Sequence, residues 1–182
     1  MRRTSTFITA IAVMCALTAA LSAQKGQQTG PGSGGSPHWK ADWSIHGAAI
    51  VVEYGRPFLK CRPEAQMMPA GQPWRTGADE ATIITTDKAL TFGTVKLEPG
   101  TYTINTQPGA KDWQLILGKL SKPGQWGIPY NASLEIGRAP MTLGKTKAPV
   151  EQVSISIDST ATGGMLHIEW GTTSASIAFK VG

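Results

Sequence analysis

The sequence predicts an all-β protein, specifically an antiparallel β-sandwich, jelly-roll-like, of about nine or ten strands. Apolar and polar residues alternate at a period of two in many short segments. The 21 glycines and 12 prolines are more typical of a protein with many turns than of a helical bundle. Beyond the N-terminal leader, no window of about eleven residues has helical periodicity. A closed barrel is the alternative, but connections of very different lengths favour the sandwich.

The first 23 residues predict a secretory signal peptide. A basic start at residues 1–3 precedes an apolar run at 7–21, and small residues at 21–23 form an acceptable cleavage site. The apolar run is shorter than the roughly 20 residues that a membrane span requires. We therefore expect an exported protein, periplasmic or extracellular, with no membrane span after cleavage.

The charge and cysteine content of the chain after cleavage argue against a nucleic-acid-binding protein and against a disulfide-stabilised domain. Loss of Arg2 and Arg3 with the leader lowers the formal net charge from +5 to +3, since 5 − 2 = 3. Basic residues are spread along the chain rather than clustered, so we expect no nucleic-acid partner. Cys15 leaves with the leader, so Cys61 has no partner for an intramolecular disulfide.

The mature chain divides into a tether and one domain. Residues 24–37 are rich in Gly, Gln, Ser and Pro, have no apolar periodicity, and predict a disordered tether. Residues 38–182 predict a single β-sandwich domain, long enough to bury a core.

Several hairpins are predicted within this domain. Residues 41–45 and 48–54 are joined by His46-Gly47, and residues 94–98 and 101–107 by Pro99-Gly100. Residues 101–107 also predict a hairpin with 113–118. The other predicted strands are 81–86 and 89–92, which form a pair or one bent strand, and 133–136, 141–143, 150–157, 165–170 and 175–181.

The densest polar chemistry lies at residues 74–82, directly after a long loop, 55–73. Long structured loops in compact domains are often functional. The loop contains four prolines, which restrict its backbone without helix or ladder bonding. This junction is therefore the candidate site.

Four blocks in this order resemble the bacterial exported domain-of-unknown-function family 2911. The blocks are Tyr54-Gly55-Arg56-Pro57, Trp74-Arg75-Thr76-Gly77-Ala78-Asp79-Glu80-Ala81-Thr82, Leu97-Glu98-Pro99-Gly100-Thr101-Tyr102 and Gln125-Trp126-Gly127. The resemblance covers roughly residues 44–181. It implies a secreted or periplasmic all-β protein with no assigned reaction. The loop at 58–72 departs from the family pattern, which usually has a short Gly-rich connection there.

Asp79 and Glu80 are the candidate acidic residues of the junction. Neighbouring side chains of an extended segment point to opposite faces, so the two carboxylates are not expected to flank one bond as a glycosidase pair does. We expect one of them to pair with Arg75 or Arg56, forming a clamp that fastens the long loop to the sandwich.

A ligand surface is the alternative use of the same block. Trp74 and Tyr54 could form an aromatic floor with guanidinium donors from Arg75 and Arg56 at its rim. Such a surface suits a carbohydrate or a small anion. The candidate ligand-binding residues are Tyr54, Arg56, Trp74, Arg75, Asp79 and Glu80.

Other chemistries lack support in the sequence. His38, His46 and His167 have no metal-ligand spacing, so we expect no metal site and no cofactor. No serine-hydrolase elbow or phosphate loop occurs, and no catalytic residue is assigned. A non-catalytic binding or envelope-interaction module is the favoured class. The alternatives are a secreted carbohydrate- or small-anion-acting enzyme using Asp79 or Glu80, and a structural self-associating protein; the oligomeric state is left open.

Overall fold

A computed structural model describes residues 25–182, which form an almost entirely antiparallel β-structure. The predicted signal peptide lies outside the described residues. The strands are β1 (Lys25–Gly30), β2 (His38–Ile45), β3 (Ala48–Gly55), β4 (Ile83–Thr86), β5 (Leu90–Phe92), β6 (Val95–Leu97), β7 (Gly100–Gln107), β8 (Trp113–Lys119), β9 (Glu135–Thr160) and β10 (Gly163–Val181). The helical elements are one short α-helix, α1 (Glu64–Met67), and two 3-10 turns at Ser33–Gly35 and Ala132–Leu134. Within the described residues no helix combines the length and apolarity needed to cross a bilayer.

The ten strands follow the order β1-β2-β3-β4-β7-β8-β9-β10-β5-β6. The two longest strands, β9 with 26 residues and β10 with 19, join two layers. Residues 135–141 of β9 pair with β8, whereas residues 142–160 pair with β10. Among the described strands, the two end strands β1 and β6 do not pair, so the sheet does not close. The predicted antiparallel sandwich is confirmed, and the barrel alternative is wrong.

The inward faces of both layers form one hydrophobic core. The period-two alternation places apolar residues on the buried face of each strand. The first layer contributes Trp43, Ile45, Ile50 and Val52, and the second contributes Val153, Ile155, Leu166, Ile168 and Phe179. Because the buried faces were already visible as alternating residues, this part of the fold followed from the sequence.

Two of the three predicted hairpins are confirmed. β2 pairs with β3 through a turn in which His46 (φ 48°) and Gly47 (φ 75°) both adopt left-handed conformations, as a tight hairpin turn requires. β7 pairs with β8. The hairpin through Pro99-Gly100 is wrong, because β6 pairs with β5 in the second layer and β7 pairs with β4 in the first. Alternation identifies a strand, but it does not identify the strand's partner.

The boundaries of the later strands also differ from the prediction. The predicted strand at 133–136 begins in the 3-10 turn Ala132–Leu134 and enters β9 at Glu135. The predicted strands at 141–143 and 150–157 are parts of the same continuous β9, and those at 165–170 and 175–181 are parts of β10. The predicted strands at 81–86 and 89–92 contain the shorter strands β4 and β5, which lie in different layers and do not pair with each other. The β9–β10 pair has register shifts on both sides of Gly171, and the two strands stay paired beyond them.

The structure differs from the predicted disordered tether at residues 24–37. Residues 25–30 form β1 on the edge of β2, and a 3-10 turn follows at 33–35. A Cβ atom at Gly26 would lie 2.6 Å from Nε1 of Trp39, so only glycine allows this close approach. Backbone pairing to an exposed edge strand requires no apolar side chains, which is why composition did not predict it.

The long loop at 55–73 is fastened to β10 through one carboxylate. Glu64, in α1, accepts hydrogen bonds from the Thr172 backbone N–H (2.7 Å), the Thr172 hydroxyl (3.0 Å) and the Thr173 hydroxyl (2.6 Å). Burial raises the pKa of Glu64, but these hydrogen bonds outweigh it and the net pKa is lowered. Cys61, in the same loop, is a free, exposed thiol.

The lowered pKa of Glu64 predicts a pH-dependent contribution to stability. A carboxyl whose pKa is lower in the folded state stabilises the protein above its unfolded pKa of about 4.3, and that contribution is lost as pH falls through the folded pKa. We expect Glu64→Gln to lower the urea midpoint at pH 7 and to have a smaller effect at pH 3. The matched control is Glu98→Gln, since the Glu98 side chain is 65% exposed. Equal pH profiles for the two variants would contradict the role of Glu64.

Three tryptophans connect the candidate block to both layers. Trp74 stacks on Trp170 of β10, with ring centroids 5.7 Å apart and an interplanar angle of 9°. It also meets Trp113 of β8 edge-on, at 6.4 Å and 82°. Trp170 Nε1 donates a hydrogen bond to the Glu151 carbonyl, so its polar atom is satisfied. The beginning of the candidate block is therefore part of the core.

Truncation of Trp74 should destabilise the fold strongly. We expect Trp74→Ala to lower the free energy of unfolding by about 3–5 kcal/mol, because it removes a buried ring and leaves a cavity. Trp126→Ala is the control, since Trp126 is 46% exposed, and should change stability by less than about 1 kcal/mol. Urea unfolding followed by circular dichroism measures both, and a small effect at Trp74 would show that its stacking is not part of the core.

Candidate functional site

Residues 74–82 are an irregular segment held between two parts of the chain. At its beginning, the Trp74 N–H donates to the Thr106 carbonyl at 2.6 Å. At its end, the Gly127 N–H donates to the Asp79 carbonyl (3.0 Å) and the Ala81 N–H to the Gln125 carbonyl (2.8 Å). Two blocks of the family resemblance, 74–82 and 125–127, therefore contact each other through the backbone.

A third block approaches the same segment through glycine. A Cβ atom at Gly55 would lie 2.3 Å from the Ala78 carbonyl oxygen, and one at Gly77 would lie 2.9 Å from the Gly55 carbonyl oxygen. The Ala78 N–H also donates to the Gly55 carbonyl at 3.3 Å. Gly55 pairs directly with His38 in the β2–β3 ladder. This register brings His38 next to the segment that carries Asp79.

The two acidic residues converge on this histidine. His38 Nε2 lies 3.2 Å from Asp79 Oδ2 and 3.0 Å from Glu80 Oε2. The side chain of Asp79 is 9% exposed and that of Glu80 is 43% exposed. The prediction that the carboxylates face opposite sides is wrong, because Asp79 has a left-handed backbone (φ 63°) and alternation holds only for extended residues. We call His38, Asp79 and Glu80 the carboxylate–histidine cluster.

The predicted arginine clamp does not form. The Nε of Arg75 donates to the Gly77 carbonyl at 3.2 Å, and the Nε of Arg56 donates to the Val153 carbonyl at 2.9 Å. The Arg56 guanidinium also lies 4.8 Å from the centre of the Trp39 ring. Within residues 25–182, neither arginine makes an ion pair with Asp79 or Glu80; His38 is the basic partner of both. The two arginines instead bind backbone carbonyls of neighbouring residues.

The two aromatic residues of the predicted floor are largely buried and border different clefts, Trp74 beside Arg75 in one and Tyr54 in the other. Trp74 is 9% exposed and Tyr54 is 5% exposed. The Tyr54 hydroxyl oxygen accepts a hydrogen bond from the Ile155 N–H, and burial raises the pKa of this hydroxyl. Both rings therefore stabilise the core, and the candidate residues nearer the surface are Arg56, Arg75 and Glu80.

Two clefts flank the carboxylate–histidine cluster. One, of about 440 Å³, is lined by Trp39, His38 and Glu80 together with polar residues of the neighbouring strands and loop, and we call it the Trp39 groove. Its polar lining includes Glu53, Thr85, Thr101 and Gln125. The other, of about 620 Å³, is lined by Asp79 and by the basic residues Lys60, Arg62 and Arg75, and we call it the basic cleft. The cluster thus forms part of the walls of both clefts.

The sequence did not indicate a role in the site for the two residues that begin β2, His38 and Trp39. His38 is 41 positions from Asp79, so no local spacing connects them. Trp39 is half-buried and borders the groove. The available signal was a histidine and a tryptophan side by side at the start of the first apolar strand, opposite the glycine of Tyr54-Gly55-Arg56-Pro57.

The family described as "Protein of unknown function (DUF2911)" matches residues 36–179. The chain belongs to this family. Comparisons with curated proteins and with solved structures found no match. The match begins just before His38 and includes every residue of the carboxylate–histidine cluster. In this DUF2911 domain, three of the four motif blocks meet at the cluster, which makes it the candidate functional site.

Substitution of Gly55, which is not a member of the carboxylate–histidine cluster, should still change the environment of His38. We expect Gly55→Ala to lower stability by about 1–3 kcal/mol, because its Cβ would overlap the Ala78 carbonyl oxygen. Gly144→Ala is the matched control, since its Cβ would meet only the Ser174 carbonyl oxygen, at an ordinary 3.7 Å. Thermal unfolding measures stability, and the NMR shifts of the His38 ring report the site. An unperturbed His38 in Gly55→Ala would contradict the proposed positioning.

Proposed function

We propose that this DUF2911 domain is an exported, non-catalytic binding module that takes a neutral carbohydrate in the Trp39 groove. The observation that carries the proposal is the lining of the groove, in which Trp39 and Tyr54 stand beside carboxylate, hydroxyl and amide groups. Aromatic rings stack on the apolar faces of sugars, and oxygen acceptors bind their hydroxyls. Export is supported by the leader at residues 1–23.

The polar residues of the groove suit hydroxyl groups. Thr85 and Thr101 lie on adjacent strands with their hydroxyl oxygens 2.9 Å apart, and both line the groove. Glu53 has one weak cationic neighbour, Lys40, at 3.9 Å, and its side chain is 44% exposed. Carboxylate oxygens accept the hydrogen bonds that sugar hydroxyls donate, and threonine can donate or accept.

Charge disfavours a small anion in this groove. Glu53 and Glu80 both line it, and an anion would approach two carboxylates. The cationic residues Lys60, Arg62 and Arg75 line the other cleft instead. A neutral polyhydroxylated ligand avoids this repulsion.

The geometry also disfavours a glycosidase that uses Asp79 and Glu80. A glycosidic bond must lie between the two carboxylates of such an enzyme. Here the His38 ring nitrogen contacts both carboxylates, and the Asp79 side chain is 9% exposed. The space that the substrate would need is occupied by a side chain of the protein, which supports binding rather than hydrolysis.

Isothermal titration tests the proposal. The tag-free protein is titrated with hexasaccharides of glucose, xylose and N-acetylglucosamine, and with citrate and malate as anions. We expect at least one oligosaccharide to bind, and Trp39→Leu to weaken it about tenfold or more through loss of ring contact, about 1.4 kcal/mol. Trp126→Leu is the matched control, because Trp126 is exposed and does not line the groove.

Two results would overturn the proposal. One is the absence of heat with every oligosaccharide, and the other is equal affinity for wild type and Trp39→Leu. Binding of citrate that is lost in Arg75→Ala would place the ligand in the basic cleft instead. Circular dichroism of Trp39→Leu shows whether the variant is folded, and Glu53→Gln provides a second groove variant that leaves the ring intact.

A further inference from the structure

The carboxylate–histidine cluster contains more acceptors than its histidine can satisfy. The ring atom His38 Nε2 carries at most one hydrogen, yet two carboxylate oxygens lie within 3.2 Å of it. The hydrogen bond goes to Asp79 Oδ2. Glu80 Oε2 is shielded from solvent and has no hydrogen-bond partner within the described structure. A buried carboxylate oxygen that accepts no hydrogen bond lowers the stability of the folded state, and a bound cation would supply the missing partner.

The three ligand atoms have the spacing of a metal site. One nitrogen and two oxygens lie within 4.8 Å of one another, and two of the separations are 3.0 and 3.2 Å. Zinc bonds to histidine nitrogen and carboxylate oxygen are about 2.0–2.2 Å long, so neighbouring ligands of a tetrahedral zinc lie about 3.3–3.5 Å apart. Small side-chain shifts therefore convert the observed arrangement into a coordination shell.

The ligands come from two backbone segments, β2 and the irregular segment 74–82, and each segment is ordered by its own contacts. His38 begins β2 and is paired with Gly55. Asp79 Oδ2 accepts a 2.7 Å hydrogen bond from the Ser33 N–H, which orients the carboxylate as outer-shell donors do in metal sites. Glu80 is bridged to Trp126 through the backbone. The site therefore requires no folding of a new segment around the ion.

We infer that His38, Asp79 and Glu80 form a binding site for a divalent transition-metal ion, with zinc as the best match. A mixed nitrogen and oxygen set favours zinc over calcium or magnesium, which prefer oxygen ligands alone. Three protein ligands leave a fourth position for water or a ligand. Because His38 and Glu80 both line the Trp39 groove, the groove provides access to the ion.

Titration of the tag-free, chelator-treated full chain with Zn(II) tests the site. We expect one zinc ion per chain, and a loss of affinity of about tenfold or more in Glu80→Gln, which keeps the side-chain shape and removes the charge. His38→Ala should lose binding to a similar or greater extent. Co(II) gives a second readout, because tetrahedral coordination produces a visible absorption band that Glu80→Gln should abolish.

The matched control is a second histidine–carboxylate pair of the described residues, His167 and Asp158, whose Nε2 and Oδ2 atoms are 3.2 Å apart and whose carboxylate side chain is 78% exposed. His167→Ala should bind zinc as the wild type does. Absence of Zn(II) binding, unchanged affinity in Glu80→Gln, or tighter binding of Ca(II) than of Zn(II) would each overturn the inference. Failure of the oligosaccharide titration would not affect it, since zinc is the only ligand added.

Discussion

The close contact between Gly55 and Ala78 is the constraint on which the candidate site depends. Gly55 is the cross-strand partner of His38, so whatever packs on Gly55 lies beside that histidine. A side chain at Gly55 would overlap the Ala78 carbonyl oxygen. The absence of a Cβ atom allows the irregular segment to approach the sheet, and the left-handed Asp79 that follows directs its carboxylate to His38.

Three of the tryptophans lie in the core, and another borders a groove. Trp74 contacts both Trp113 and Trp170 in the core, and it also forms backbone hydrogen bonds with Thr106. These contacts hold the first residue of the block, so the polar residues that follow can adopt an irregular path without losing their position. Trp39, at the start of β2, is half-buried and borders a groove. The motif residue Trp74 is thus mainly part of the core, whereas Trp39, which lies outside the motif blocks, is more exposed at the edge of a cleft.

The two clefts beside the site differ in the charge of the residues that line them. Asp79 faces a cleft that contains three basic residues, whereas Glu80 and His38 face a groove that contains Glu53. Arg56 and Arg75 both bind backbone carbonyls, which leaves His38 as the basic partner of the two carboxylates. Because the cluster separates two clefts of different charge, a change at His38, Asp79 or Glu80 alters the walls of both.

The sequence by itself determined the all-β class, the buried faces of most strands, the hairpin through His46-Gly47 and membership of the DUF2911 family. These features depend on local alternation, turn residues and ordered motifs. It also identified Asp79 and Glu80 as the candidate acidic residues, but it assigned them to opposite faces and gave them arginine partners. Only the tertiary structure decided that residues 135–160 form one continuous strand, that residues 25–30 pair with β2, and that His38 contacts both carboxylates. The reason is physical: the left-handed backbone at Asp79 and the pairing of His38 with Gly55 are set by contacts between distant segments, and neither produces a periodic signal in the chain.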